Sequence, residues 1–192
     1  MESFYKCLDA YFVFFRTHKV KWKALMDKAG GPLQALSNLD EQLQMILKVK
    51  EGDIELLKLP NLMKNLEAKI RLGMEEEFVT IKSIVEECGK LLTELERKKS
   101  TVDQNFPKTG WDPTFQRSVM SPSVFELMEW VGDVFRYYQC IYIGMSNTVS
   151  CLDLENEKSV ALLKKAFEED PTSSSYIERI LAYTQFLGVE EG

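Results

Sequence analysis

Catalysis by a nucleophile, a base or a metal has few residues to draw on in this chain. It holds one histidine, His18, so a Ser-His-Asp or Cys-His arrangement would have to use that residue, and no Gly-x-Ser-x-Gly elbow accompanies it. A zinc site built from several histidines is excluded. His18 lies in a helical stretch and is expected to be a solvated helix histidine. Neither GxxxxGKS, GxxxxGKT nor GxGxxG occurs, so both familiar phosphate-cradling loops are missing and any use of ATP belongs to a partner. No cofactor is expected. The cysteines Cys7, Cys88, Cys140 and Cys151 are separated by 81, 52 and 11 residues and form no CxxC pair. They read as reduced thiols rather than a disulfide framework.

Two other groupings carry charge that chemistry uses. Glu75-Glu76-Glu77 and Glu86-Glu87 supply carboxylates of the kind that bind magnesium or move protons, but they lie between the helix positions Met74, Phe78 and Val85, which turns most of them to water. Lys19-Val20-Lys21-Trp22-Lys23 interleaves cations with apolar side chains. On a helix Lys19 and Lys23 share a face while Lys21 points nearly opposite, so the three form no single phosphate-tracking stripe. The net charge of −6 has a direction: residues 1–50 carry eight basic against five acidic side chains, and residues 151–192 carry four against nine. Nucleic acid, if touched, meets the N-terminal part. Ser121-Pro122 fits a proline-directed kinase, although helix capping explains the pair on its own.

The elements that must position these residues read as all-α. No stretch alternates apolar and polar residues with β-branched enrichment, whereas helical spacing recurs nearly everywhere. The longest unbroken aliphatic and aromatic run, Ala10 to Phe15, is far short of the roughly 20 residues of a membrane-spanning helix. The first ten residues show no secretory pattern, and a cytoplasmic or nuclear address is expected. A first helix over Ser3 to Lys28 is expected to end at Gly30-Gly31-Pro32, where a second begins. That second helix runs to about Glu51-Gly52, with Leu36, Leu39, Leu43, Ile46 and Leu47 in a stripe and Asp40, Glu41, Gln42 and Gln44 turned elsewhere. A connector containing Pro60 follows. From Asn61 to Lys99, the residues Phe78, Ile81, Val85, Cys88, Leu92 and Leu95 repeat at three and four like a coiled-coil seam, with Gly73 and Gly89 as weak points.

Residues 101–120 read as a linker or packed loop, the aromatic Phe106, Trp111 and Phe115 suggesting that it packs down on something. A long helix then starts at Ser121-Pro122-Ser123, where a proline at the first helical position and a Ser123/Glu126 capping box give two overlapping signals. Two shorter helices follow, one with Val160, Leu163 and Phe167, the other after Pro171 with a Ser175/Glu178 capping box and Ile177, Ile180 and Leu181 inside. The expected organisation is 1–100 as an N-terminal helical part, the 101–120 link, and 121–192 as a C-terminal helical part, in one elongated antiparallel helical bundle with long coiled-coil-like helices. Trp130, Phe135, Tyr137, Tyr138 and Tyr142 spread over more than one face of the helix after Ser121. Either neighbouring helices of the chain cover the second face or another chain does. Leu36, Leu39, Leu43, Met128, Trp130 and Val131 are the residues expected to pack a partner or a seam.

Three segments together carry a resemblance: Leu33 to Gln44 (LQALSNLDEQLQ), Leu59-Pro60-Asn61-Leu62 leading into a charged helix, and Ser118 to Val131 (SVMSPSVFELMEWV). In order and spacing they resemble the ribosome maturation factor family known as AIRIM, and the similarity extends from Lys6-Cys7 to the acidic end. The family's helix resembling Arg136 to Met145 is more basic than this one. The resemblance implies a non-enzymatic subunit that works with two type II AAA+ ATPases and the cyclin-dependent-kinase-interacting protein, a small helical partner. It further implies late cytoplasmic maturation of the large ribosomal subunit, through release of a shuttling factor from the pre-ribosome, and a chromatin-linked role at replication forks. The alternative from the residues is a helical module that binds RNA or the pre-ribosome directly through the basic N-terminal half.

Overall fold

Continuity of the apolar stripe decides where the first helix ends. In the computed structural model, which describes residues 2–52, 60–106, 122–154, 156–185 and 187, α1 spans Glu2–Gly52 without a break. The expected division at Gly30-Gly31-Pro32 is therefore corrected. Phe4, Leu8, Tyr11, Phe15, His18 and Trp22 are buried at steps of three and four, and Ala29, Leu33, Leu36 and Leu43 continue in the same phase beyond the breakers. Pro32 removes one backbone hydrogen bond and costs about 3 kcal/mol in a helix interior. Burying a Leu or Phe side chain contributes roughly 1.5–3 kcal/mol each, so a few seam residues on either side hold the helix through the proline. Asp40 is also corrected: it is 8% exposed, in phase with the stripe rather than turned from it.

α2 (Pro60–Asn105), α3 (Val124–Ser150), α4 (Glu157–Ala166) and α5 (Pro171–Thr184) follow, so the chain is all-α. α2 runs past the expected linker start. Val102 is buried seven residues beyond Leu95, and an ion pair between Lys99 and Asp103 at 2.6 Å bridges one turn. Phe106 packs edge-on against Phe4 at 5.6 Å. Trp111, Phe115 and Ser121 lie outside the described residues.

Of the two start signals for α3, the capping box acts. The Ser123 backbone N–H donates to Glu126 Oε2 at 2.8 Å, and the Glu126 N–H donates to Ser123 Oγ at 3.2 Å; Pro122 precedes the helix. α5 begins at Pro171, with Asp170 as its cap accepting from the Ser173 N–H. The expected Ser175/Glu178 box is thereby corrected, since Glu178 pairs with Lys19 instead.

The chain divides into two compact units, each built from discontinuous segments. Unit 1 comprises Met1–Lys23, Cys88–Tyr142 and Glu169–Gly192. Here α1 and α2 run antiparallel, pairing Phe4 with Phe106 and Phe14 with Lys98. α3 runs parallel to α1, as Tyr11 donates to the Val131 carbonyl and Phe15 meets Tyr138. α5 returns antiparallel to both, with Arg16 donating to the Thr184 carbonyl and Tyr176 to Asp133. Unit 2 comprises Ala24–Glu87 and Ile143–Glu168. In it Lys28 pairs with Glu87 at 3.7 Å, Leu39 lies against Gly73, and α4 is tied to α1 by Lys164 donating to Gln34 Oε1 at 3.1 Å.

The seam glycines are contact points rather than weak points. A Cβ at Gly73 would stand 3.3 Å from Leu39 Cδ1, and one at Gly89 only 2.9 Å from Tyr142 Oη. At Gly30 and Gly31 it would meet nothing within 4 Å. Gly31→Ala is accordingly expected to raise stability by about 1 kcal/mol, the helix-propensity difference. Gly89→Ala is expected to lower it by roughly 1–3 kcal/mol through overpacking. Urea unfolding of both variants checks this, and a loss from Gly31→Ala would contradict an unbroken α1.

Candidate interaction surface

In unit 1 the residues expected to bind a partner separate by burial. Val131 is wholly buried at the α1–α3 contact, while Met128 and Trp130 are half-buried. Trp130 stacks on Tyr183 of α5, ring centroids 5.8 Å apart and 22° between planes. Of the two readings of the aromatic helix, coverage within the chain accounts for much of the second face. Tyr176 donates to Asp133 Oδ2 at 2.6 Å, and Tyr142 lies on Gly89. Burial pushes the Tyr137 and Tyr176 hydroxyls up to about 12, with Glu169 adding for Tyr137 and Asp133 for Tyr176. Both therefore stay neutral donors. Phe125 and Tyr183 nonetheless remain 50% and 61% exposed, so α3 and α5 each offer an aromatic side chain to a visitor.

Tyr138 is the hub beneath this layer. It meets Phe15, His18 and Trp22 of α1 at 6.1, 4.9 and 4.8 Å. The expectation of a solvated His18 is corrected: the ring is 1% exposed, with Phe14, Trp22 and Tyr138 about it. Neither His18 nitrogen has a hydrogen-bond partner, and the same holds for the Trp22 indole nitrogen and Arg16 Nε. Such groups cost roughly 1–3 kcal/mol each when buried unpaired. A catalytic use of His18 would need a proton acceptor or donor beside it, and the ring meets aromatic carbon instead. The signal that locates His18 is the spacing of Leu8, Tyr11, Phe15, His18 and Trp22, which sets it on the apolar stripe.

The basic patch changes character for the same reason. Trp22 belongs to the core and Lys19 pairs with Glu178, leaving Val20, Lys21 and Lys23 exposed.

In unit 2, Leu36 and Leu43 are buried in the seam and Leu39 is half-buried against Gly73. Ile81 and Val85 are buried as well, whereas Glu75, Glu76 and Glu86 face water. A cleft of about 420 Å³ separates α1 from α4, lined by Ser37, Asp40, Glu41, Val160, Ala161, Lys164, Lys165 and Glu168. Asp40 and Glu41 line it from α1, and Lys164 and Lys165 from α4. Among the described residues no group of three His, Cys, Asp or Glu side chains is placed to hold a metal ion, and no helix is long and apolar enough to cross a membrane.

Comparison with known proteins adds a family. A family model described as CA109-like, "Ribosome biogenesis protein C1orf109-like", matches residues 2–186. A Mus musculus protein named AFG2-interacting ribosome maturation factor is 26% identical over 181 residues, covering 89% of this chain and 82% of that protein. Its Homo sapiens namesake is 26% identical over 155 residues, 77% of this chain and 75% of that protein. A Xenopus tropicalis protein of the same name is 26% identical over 134 residues, 64% of this chain and 62% of its own length.

The buried ring gives a pH signature. Burial, with Lys21 nearby, pushes His18 down from its ordinary 6.5 to about 4. The unfolded chain takes the proton near pH 6.5 and the folded chain only near 4. Stability is therefore full above 6.5 and falls as pH drops toward 4, by about 3 kcal/mol in all. His18→Phe is expected to remove that share of the acid dependence. Urea midpoints at several pH values for both chains check it, and parallel losses would contradict a buried neutral ring.

Proposed function

This chain belongs to the C1orf109-like family of ribosome biogenesis proteins, and we propose that it is a non-catalytic adaptor that docks on an AFG2-type AAA ATPase during ribosome maturation. The observation that carries the reading is the match of residues 2–186 to the family, joined to relatives in mouse and human that are named for interaction with AFG2. The physical arrangement suits the role. The long helices fill their own seams, with Leu36, Leu43, Ile81 and Val131 buried, and leave aromatic and aliphatic side chains such as Phe125, Val20 and Tyr183 outward. Aromatic side chains are enriched where proteins meet.

The finer reading is that the chain works with two type II AAA+ ATPases and the cyclin-dependent-kinase-interacting protein. It serves late maturation of the large subunit in the cytoplasm, where a shuttling factor leaves the pre-ribosome, and it also acts in the nucleus, in protein turnover at the replisome. Leu39, Met128 and Trp130, each half-buried, are the members of the expected partner set with surface left to offer.

The second reading, direct binding of RNA or the pre-ribosome, rests on the eight basic against five acidic side chains of residues 1–50. Purification of the tagged full chain from its native cells separates the two. Stoichiometric recovery of two AAA ATPases and a second small helical protein is the expected result. Pre-ribosomal RNA and proteins without those ATPases, lost steeply between low and physiological salt, would overturn it.

A further inference from the structure

α1 carries a second apolar stripe on its outward side. Ala10, Val13, Thr17 and Val20 follow one another at three, four and three residues, and all four are exposed in unit 1. Val13 is 48% and Val20 70% exposed. The outward side of α2 shows the ordinary alternative, with Lys69, Glu76, Glu86 and Lys90 interrupting its exposed apolar residues. No charged residue interrupts the α1 stripe. Exposed Lys21 and Lys23 stand on its opposite flanks, and neither makes an ion pair among the described residues, whereas Lys19 is already matched by Glu178.

We propose that the outward face of α1 formed by Ala10, Val13, Thr17 and Val20 docks an amphipathic helix of a protein partner, with acidic residues flanking its apolar seam. The inference rests on the adaptor reading and names the chemistry of one partner. The three-and-four spacing is that of a coiled-coil seam, and its small and β-branched side chains admit a close second helix. Charge selects the occupant. Lys21 and Lys23 would face Asp or Glu at the flanking positions of the incoming helix. A second copy packed in parallel on the same face would set these lysines against themselves. A nucleic-acid backbone would meet valines where phosphates need cations.

The test uses the full chain in its native cells as three proteins: wild type, Val13→Asp/Val20→Asp, and Lys21→Glu/Lys23→Glu. A fourth protein carries the photocrosslinker p-benzoylphenylalanine in place of Val20. Both variants are expected to keep wild-type helix content by circular dichroism and to lose one stoichiometric protein partner roughly tenfold or more. The crosslink is expected to join Val20 to a segment of that partner with helical apolar spacing and flanking Asp or Glu.

Retention of every partner by both variants would overturn the proposal. So would a crosslink to RNA, to a second copy of this chain or to a segment without acidic flanks, and so would loss of helix content in the valine variant, since those positions would then be core. Failure of the adaptor reading shows separately, as a wild-type chain that recovers no AAA ATPase.

Discussion

A helix of 51 residues must keep its buried apolar stripe in phase along its length or lose the neighbours that stabilise it. In α1 the stripe runs from Phe4 to Ile46 and passes two glycines and a proline without changing phase. Local preference at Gly30-Gly31-Pro32 opposes the helix by an amount of the order of two or three buried leucines, and the seam supplies more than that number. Side-chain burial rather than backbone propensity thus sets the length of the element. The same rule carries α2 to Asn105, because Val102 falls one heptad beyond Leu95 and is buried there.

Close helix approach follows from that constraint. Gly73 and Gly89 lie where the side chains of Leu39 and Tyr142 come nearest, so the smallest residue is used where two helices need the space. In unit 1 the seam is aromatic, and Tyr138 gathers Phe15, His18 and Trp22 around one ring. The unpaired nitrogens of His18 and Trp22 show that packing of flat rings outweighs the loss of their hydrogen bonds at this point. That balance holds only while His18 is neutral.

Much of this was legible in the residues. The all-helical class, the seam from Phe78 to Leu95 and the Ser123/Glu126 capping box follow from spacing and local hydrogen bonding. What escaped was each place where tertiary packing outweighed a local signal. Gly30-Gly31-Pro32 has the chemistry of a helix boundary, and only the burial of Ala29 and Leu33 reveals that the helix continues. Ser175 and Glu178 have the spacing of a capping box, but Lys19, distant in sequence, takes the glutamate. His18 has the residue type of a solvated helix histidine, and its position on the apolar stripe buries it instead. Among the expected partner residues, Leu36, Leu43 and Val131 are buried, and sequence periodicity has no means of telling a seam filled by the chain from one filled by a stranger.

The central claim is that the inward seams of the long helices are filled by the chain's own helices, which frees the outward faces for other proteins. Sedimentation equilibrium of the purified chain alone tests this most directly. The account predicts a single species near 22.2 kDa over a wide concentration range, with full helix content on dilution. A dimer whose helix content falls as it dissociates would contradict it, because the seams would then be completed between chains.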